Sequence, residues 1–325
     1  MKLVVPDEHP FAQYIRILGK GKRGARGLTR EEARDAMGML LDGETEEAQL
    51  GAFLMLLRHK EETAEELAGF TDAVRARLAV PAMSVDLDWP SYAGKKRHLP
   101  WYLLAIRCLA QNGVRILIHG GGPHTPGRLY TEQLLTHLDI PYCQDWQSVA
   151  AALEQHSHAF IPLEAWMPRL QHMIDMRSVL GLRSPIHSLA RLLNPASATC
   201  GLQSIFHPGY QDVHRQASSL LGDTAVVVKG EGGEIEINPD ANGHLYGTAN
   251  GQNWDEHWPS LTEQRHVKPS TLDPDYLLKI WQGNTQDSYG ELATVATMAL
   301  ALRSLGDDRE NAFTRARSYW DTRRI

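Results

Sequence analysis

LTREEARDAMGMLLDGETEEAQLGAFLMLLRHKEETAEELAG, residues 28–69, carries two helix-opening signatures and three apolar stripes. Thr29 with Glu32 and Thr63 with Glu66 have the spacing at which a threonine side chain caps a helix and the glutamate reaches back to the cap. Ala33, Met37, Leu40 and Leu41 fall on one helical face, and Leu50, Phe53, Leu54 and Leu57 on a second. Leu67, Phe70, Val74 and Leu78 form a third, and Gly43 suits the stop of the first helix. The stretch therefore predicts a small all-helical module over residues 1–80.

From about residue 80 the pattern changes. Short apolar runs at Val85–Trp89, Val114–His119, Ala159–Leu163 and Ala225–Lys229 are separated by helix-length segments. Candidate helices are Pro100–Gln111, Leu129–Leu138, Ser148–His156 and Gln211–Leu221. Strands alternating with helices predict an α/β domain, residues 81–325, around a mainly parallel sheet covered on both faces. Residues 234–238 alternate with period two, as a half-exposed strand does, whereas 239–270 read as irregular. The end is helical, Pro274–Gln282 and then Ser288–Leu305, the latter opened by a box of Ser288 and Glu291.

The chain has 325 residues and a formal net charge of −6, from 33 Lys+Arg and 39 Asp+Glu. Yet residues 9–30, 89–131 and 176–211 contain no Asp or Glu. Were these stretches to converge, one face would be strongly positive and would attract polyanions whatever the total charge. No apolar run is long enough to cross a bilayer, and MKLVVPDEHP does not read as a signal peptide. Cys108, Cys143 and Cys200 stand singly, without zinc spacing, and are expected as buried thiols of a cytoplasmic protein.

Four segments are candidates for chemistry. Lys20, Lys22, Arg23 and Arg26 form a glycine-spaced cationic arm able to follow a phosphodiester backbone. Tyr92, Lys95, Lys96 and Arg97, with a kink at Gly94, follow the first predicted sheet strand, where ligands of open α/β sheets bind. They offer a stacking ring beside exposed cations, which suits single-stranded nucleic acid. His119, Gly120 and Gly121 form a glycine-rich turn after the second strand and, with Gly94, are phosphate-loop candidates, since glycines permit close phosphate approach, although the spacing matches no standard phosphate loop. Glu231 and Glu234 are weak metal-ligand candidates, and no nucleophile stands beside a base at recognisable spacing. Arg128, Arg183 and Arg191 complete the set of expected nucleic-acid contacts.

Taken together, residues 12–310 resemble the anthranilate phosphoribosyltransferase family, glycosyltransferase family 3. Residues 28–69 look like its N-terminal helical signature. GLRSPIHSLARLLNPA (181–196) is similar to its G-x-R-T…L-x-P-L-L-N-P segment, and LGDTAVVVKG (221–230) to the strand before its acidic metal motif. The resemblance implies a class III phosphoribosyltransferase fold, a helical contribution from about 165–195 to the first domain, and a homodimer through the N-terminal helices. The chain departs from the pattern at the chemistry. The family's Gly-Thr-Gly-Gly-Asp pyrophosphate loop reads Ser91-Tyr-Ala-Gly-Lys-Lys-Arg, and its Lys-His-Gly-Asn reads Ile118-His119-Gly120-Gly121. Its Asp-Glu magnesium pair falls on Glu234 and Ile235. This combination resembles the YbiB-like branch, and implies binding of DNA or RNA with low sequence specificity, without transferase activity or cofactor. The other expectation is a transferase using phosphoribosyl pyrophosphate, with magnesium, on an unknown acceptor.

Overall fold

A computed structural model describes residues 8–325 except Lys22, Pro208, Gln264, Lys268 and Ser270. The opening module is four helices: α1 (Ala12–Gly19), α2 (Arg30–Leu41), α3 (Glu47–Lys60) and α4 (Ala64–Arg75). Both predicted boxes form, at Thr29–Glu32 and Thr63–Glu66. Glu66 is fully buried and also accepts the Leu28 N–H at 2.8 Å, so one carboxylate joins the starts of α2 and α4. The two helices cross closely enough that a Cβ on Gly69 would stand 2.2 Å from the Arg30 carbonyl oxygen.

The remainder runs β1 (Leu87–Ser91), α5 (Tyr102–Gln111), β2 (Ile116–Gly120), α6 (Trp146–His156), β3 (His158–Pro162), and four short helices, α7 (Leu163–Trp166), α8 (Pro168–Asp175), α9 (Arg177–Leu180) and α10 (Ile186–Leu189). Then follow β4 (Cys200–Ser204), α11 (Tyr210–Leu221), β5 (Ala225–Val228), β6 (Gly243–Ala249), β7 (Gln252–Trp258), α12 (Pro274–Trp281), α13 (Ser288–Ser304) and α14 (Arg309–Asp321). The sheet order is β3-β2-β1-β4-β5-β6-β7, parallel through β5 and antiparallel at its last two strands. Strand order reverses between β1 and β4, so the crevice outside their carboxyl ends is the topological switch point where such sheets take ligands. Leu163, Leu170, Ile174, Ile186, Leu189 and Leu193 pack in the same apolar cluster as α1–α4.

Four sequence expectations change. Residues 129–138 form two 3₁₀ turns in place of a helix. Residues 239–270 contain the β6–β7 hairpin, turned at Asn250 and Gly251 with φ of +51° and +74°. Residues 234–238 form no strand; their isoleucines and Glu234 and Glu236 are all buried. Finally, α13 is capped by Asp287, whose carboxylate accepts the Gly290 N–H, and Ser288 is its first helical residue. The three cysteines are buried and unpaired. No helix among the described residues is long and apolar enough to cross a membrane.

Candidate anion-binding site

The loop after β1 lies at the switch point, but one of its three cations, Lys95, does not face solvent as expected. Lys95 is fully buried, with Nζ 2.6 Å from Glu236 Oε1 and donating to the Glu231 carbonyl at 3.1 Å. The second Glu236 oxygen accepts the Tyr102 N–H, the first amide of α5, at 2.9 Å. Glu234 Oε1 accepts the amides of Ala93 and Gly94 at 2.7 and 2.6 Å. Arg128 Nη1 donates to the carbonyls of Ala93 and Gly94 in the loop and of Gly232 in the turn after β5. A helix N-terminus and consecutive loop amides are the groups with which a protein grips a phosphate. Here the chain's own glutamates fill them. Burial raises the Glu234 carboxyl above its usual range and pushes Glu236 up to about 7, against the pull of Lys95.

Tyr92 is likewise no stacking platform. Its ring is buried in the helical core, and its hydroxyl lies 2.8 Å from His119 Nδ1. His119, fully buried, has Nε2 3.3 Å from Asp88, so it is a structural partner of Tyr92 and Asp88. A Cβ on Gly120 would stand 2.5 Å from the Ser91 carbonyl oxygen, which makes this glycine a requirement of β1–β2 packing. On Gly121 it would meet Gln171 Oε1 at 3.1 Å and Tyr92 at 3.4 Å. Gly94, at φ +66°, lies against the Tyr130 ring.

Stretches without acids in sequence are not free of acids in space. Carboxylates from elsewhere reach Arg16 (Glu8), Arg26 (Glu32), Arg30 (Asp72), Lys95 (Glu236) and Arg107 (Asp139). Lys20, Arg23, Lys96 and Arg97 are exposed and make no ion pair among the described residues; Lys22 lies outside them. No hydrogen bond or ion pair among those residues joins the 20–26 arm to the rest of the expected interface. The positive charge of the three stretches is therefore partly neutralised by carboxylates from outside them.

A smaller convergence does form. Arg177 Nη1 donates to the His124 carbonyl at 2.9 Å, Arg183 Nη2 to Thr125 Oγ1 at 3.2 Å, and Arg191 to the His187 carbonyl. The rings of His124 and His187 are 4.9 Å apart. Together with Arg128 this gathers four guanidinium groups between the turn after β2 and helices α9–α10. None of the four forms a salt bridge among the described residues. Burial, and then repulsion from Arg128, lowers Arg183; burial chiefly brings Arg191 down to about 10. Burial and the neighbouring arginines bring His124 down to about 4 and hold His187 well below the usual histidine range. Glu234 is the one carboxylate that acts on both Arg183 and Arg191, and its Oε2 finds no partner among the described residues. Four like charges held together with one buried carboxylate form a site suited to an anion, and guanidinium groups match phosphate geometry.

Glu231 and Glu234 are both engaged by the chain itself. Glu231 Oε2 accepts the Asn238 amide at 3.0 Å, and Glu234 Oε1 accepts the loop amides. No group of three or more His, Cys, Asp or Glu among the described residues could hold a metal ion. The amides of Ala93 and Gly94, which an anion would need from this loop, are already taken by the Glu234 carboxylate. Sequence reasoning missed Glu236, Arg177, His124 and His187. The period-two pattern places the first on the solvated side of a strand, and Arg177 carries no signal beyond its place in an acid-free stretch.

The fold is thus a helical bundle set on a seven-stranded α/β domain, with an anion-receptive crevice at the switch point. Residues 12–78 match the helical bundle domain of the glycosyl transferase family. The chain is 30% identical over 235 residues to the Escherichia coli (strain K12) protein YbiB, covering 70% of this chain and 73% of that one. It is also 30% identical over 239 residues to the anthranilate phosphoribosyltransferase of Methylocella silvestris, covering 72% and 68%. It superposes on the anthranilate phosphoribosyltransferase (TrpD) of Thermus thermophilus with a TM-score of 0.76 at 20% identity over 94% of both chains. The Saccharomyces cerevisiae enzyme in complex with PRPP and Mg gives 0.74 at 17% identity, over 96% and 93%. The chain belongs to the anthranilate phosphoribosyltransferase family.

Proposed function

We propose that this chain is a nucleic-acid-binding protein on the anthranilate phosphoribosyltransferase fold, taking DNA or RNA by its phosphates without transferring a phosphoribosyl group. One observation carries the reading: the loop amides and the α5 N-terminus are occupied by Glu234 and Glu236, while the adjacent four arginines lack carboxylate partners. Arg128, Arg177, Arg183 and Arg191 act as the phosphate subsite, and exposed Lys96 and Arg97 extend it. Sequence preference is weak, because nothing in this set reads base edges. The chain works as a homodimer through α1–α4 in the cytoplasm.

The test is a salt titration of binding to a random single-stranded oligonucleotide. About six phosphate contacts give a log–log slope of roughly −4 to −5, with tight binding at about 50 mM salt. Absent binding at that salt, or affinity flat with salt, rejects the reading.

The second reading, a transferase, is favoured by the relatives that carry the name anthranilate phosphoribosyltransferase. Calorimetric titration with phosphoribosyl pyrophosphate plus magnesium decides it. Saturable binding supports transfer, and no heat supports the filled loop.

A further inference from the structure

Asp287 takes the cap of α13, so the Ser288 hydroxyl is left for another partner. That partner is His266, whose Nε2 lies 3.0 Å from Ser288 Oγ. The other ring nitrogen, Nδ1, is 2.7 Å from Asp240 Oδ1. Asp240 is fixed on three sides: Oδ1 also accepts from Thr262 Oγ1 at 2.8 Å, and Oδ2 accepts the His266 backbone N–H at 2.7 Å. A carboxylate so held keeps the proton on Nδ1 and turns the free lone pair of Nε2 toward the serine. This order, hydroxyl to imidazole to partly buried carboxylate, is that of an activated serine nucleophile, recognised by geometry and not by sequence position.

The surroundings supply the rest of such a site. Ser288 and His266 open on a cavity of about 590 Å³, walled by His98, Leu99, Trp101, Tyr276 and Tyr289, within the range of small-ligand pockets. Two donors in its wall are unsatisfied among the described residues, the hydroxyl of Tyr289 and the indole N–H of Trp101. Both side chains are more than nine-tenths buried. Asp287 satisfies the amide of Gly290, which leaves those of Ser288 and Tyr289 without an intrahelical acceptor at the positive end of α13. The helix start cannot drift, because a Cβ on Gly290 would already stand 2.5 Å from the Trp101 ring.

We propose that Ser288, His266 and Asp240 form an acyl-transfer site that hydrolyses carboxylic esters of small acids, independent of the arginine cluster. Ser288 Oγ attacks the ester carbonyl carbon while its proton passes to His266 Nε2. The negative oxygen that develops is met by the amides of Ser288 and Tyr289. The carbonyl–oxygen ester bond breaks, and the departing alkoxide takes the proton from Nε2. Water then attacks the acyl-serine, giving up a proton to Nε2, and the acid leaves as that proton returns to Ser288. The net change is ester plus water to acid plus alcohol, with no redox partner.

The full chain is incubated with a fluorophosphonate probe, the adduct is located by mass spectrometry, and p-nitrophenyl acetate hydrolysis is followed in parallel. The expected result is one adduct, on Ser288, absent in Ser288→Ala. His266→Gln should slow labelling by at least about a hundredfold, the scale of a lost general base. No adduct, an adduct on a different serine, or hydrolysis unchanged in Ser288→Ala overturns the proposal. Since Ser288 is exposed, its alanine variant keeps the fold, verified by an unchanged melt, and decides the matter should His266→Gln not fold.

Discussion

At the scale of single residues, Lys95 inverts an expectation. A lysine in a Lys-Lys-Arg run reads as a solvated charge that can be removed without harm to the fold. In the structure it is the sole ion-pair partner of the buried Glu236 carboxylate among the described residues. Lys95→Ala should therefore destabilise the protein by about 3–5 kcal/mol, since it strands a buried charge. Lys96→Ala with Arg97→Ala should stay within about 0.5 kcal/mol per site. Chemical denaturation of the variants checks both. Lys95→Met combined with Glu236→Gln should recover most of the loss, because neither group then carries an unpaired charge. No sequence signal separates Lys95 from Lys96; the distinction comes from which side of the loop meets the turn after β5.

At the scale of elements, what could be read depended on whether a pattern had one physical meaning. The capping boxes of α2 and α4 were legible because threonine and glutamate three apart act locally. Parallel strands β1, β2, β3 and β5 were legible as apolar runs buried on both faces. Strand β4 was not, because Cys200-Gly-Leu-Gln-Ser204 buries polar Gln203 and Ser204, the former paired with Ser218 and His214. Asn250-Gly251 was a turn signal passed over, since the flanking strands of the edge hairpin are rich in His, Asn, Asp and Trp. Glu-Ile-Glu-Ile at 234–237 misled because period two says that faces alternate, not that the polar face meets water.

The arginines of the turn after β2 and of α9–α10 belong to the same scale. If they form the phosphate subsite, Arg177→Ala with Arg183→Ala should reduce the magnitude of the salt slope by about 1.4 to 1.8, two contacts' worth. The measurement is the same oligonucleotide titration at four or more salt concentrations. An unchanged slope would remove α9–α10 from the interface.

For the whole molecule, pH acts through buried histidines. His124 is held down to about 4, His214 to about 3 by burial and then Arg191, and His187 is also depressed. A histidine with an ordinary value near 6.5 takes a proton in the unfolded chain first. The stability these groups contribute is present above about pH 6.5 and is lost as pH falls toward their folded values. Glu236, raised to about 7, acts in the opposite sense, its penalty growing as pH rises from about 4.5. His124→Gln should therefore gain on the parent protein as pH drops from about 6.5 to about 4, and Glu236→Gln should lose ground over that range. Melting curves at half-unit pH steps test both signs, and parallel pH profiles would contradict them. The acid-free stretches likewise needed the whole molecule. Three of their cations, Arg30, Lys95 and Arg107, are claimed by carboxylates 32 or more residues away, which linear charge reading cannot see.

The Lys95–Glu236 pair ties two positions 141 residues apart into one unit of substitution. An acidic side chain at 95 would set two buried carboxylates face to face with no counter-charge. A neutral residue at 236 alone would strand the ammonium instead. Each single change is disfavoured, so the two positions are free to vary only together.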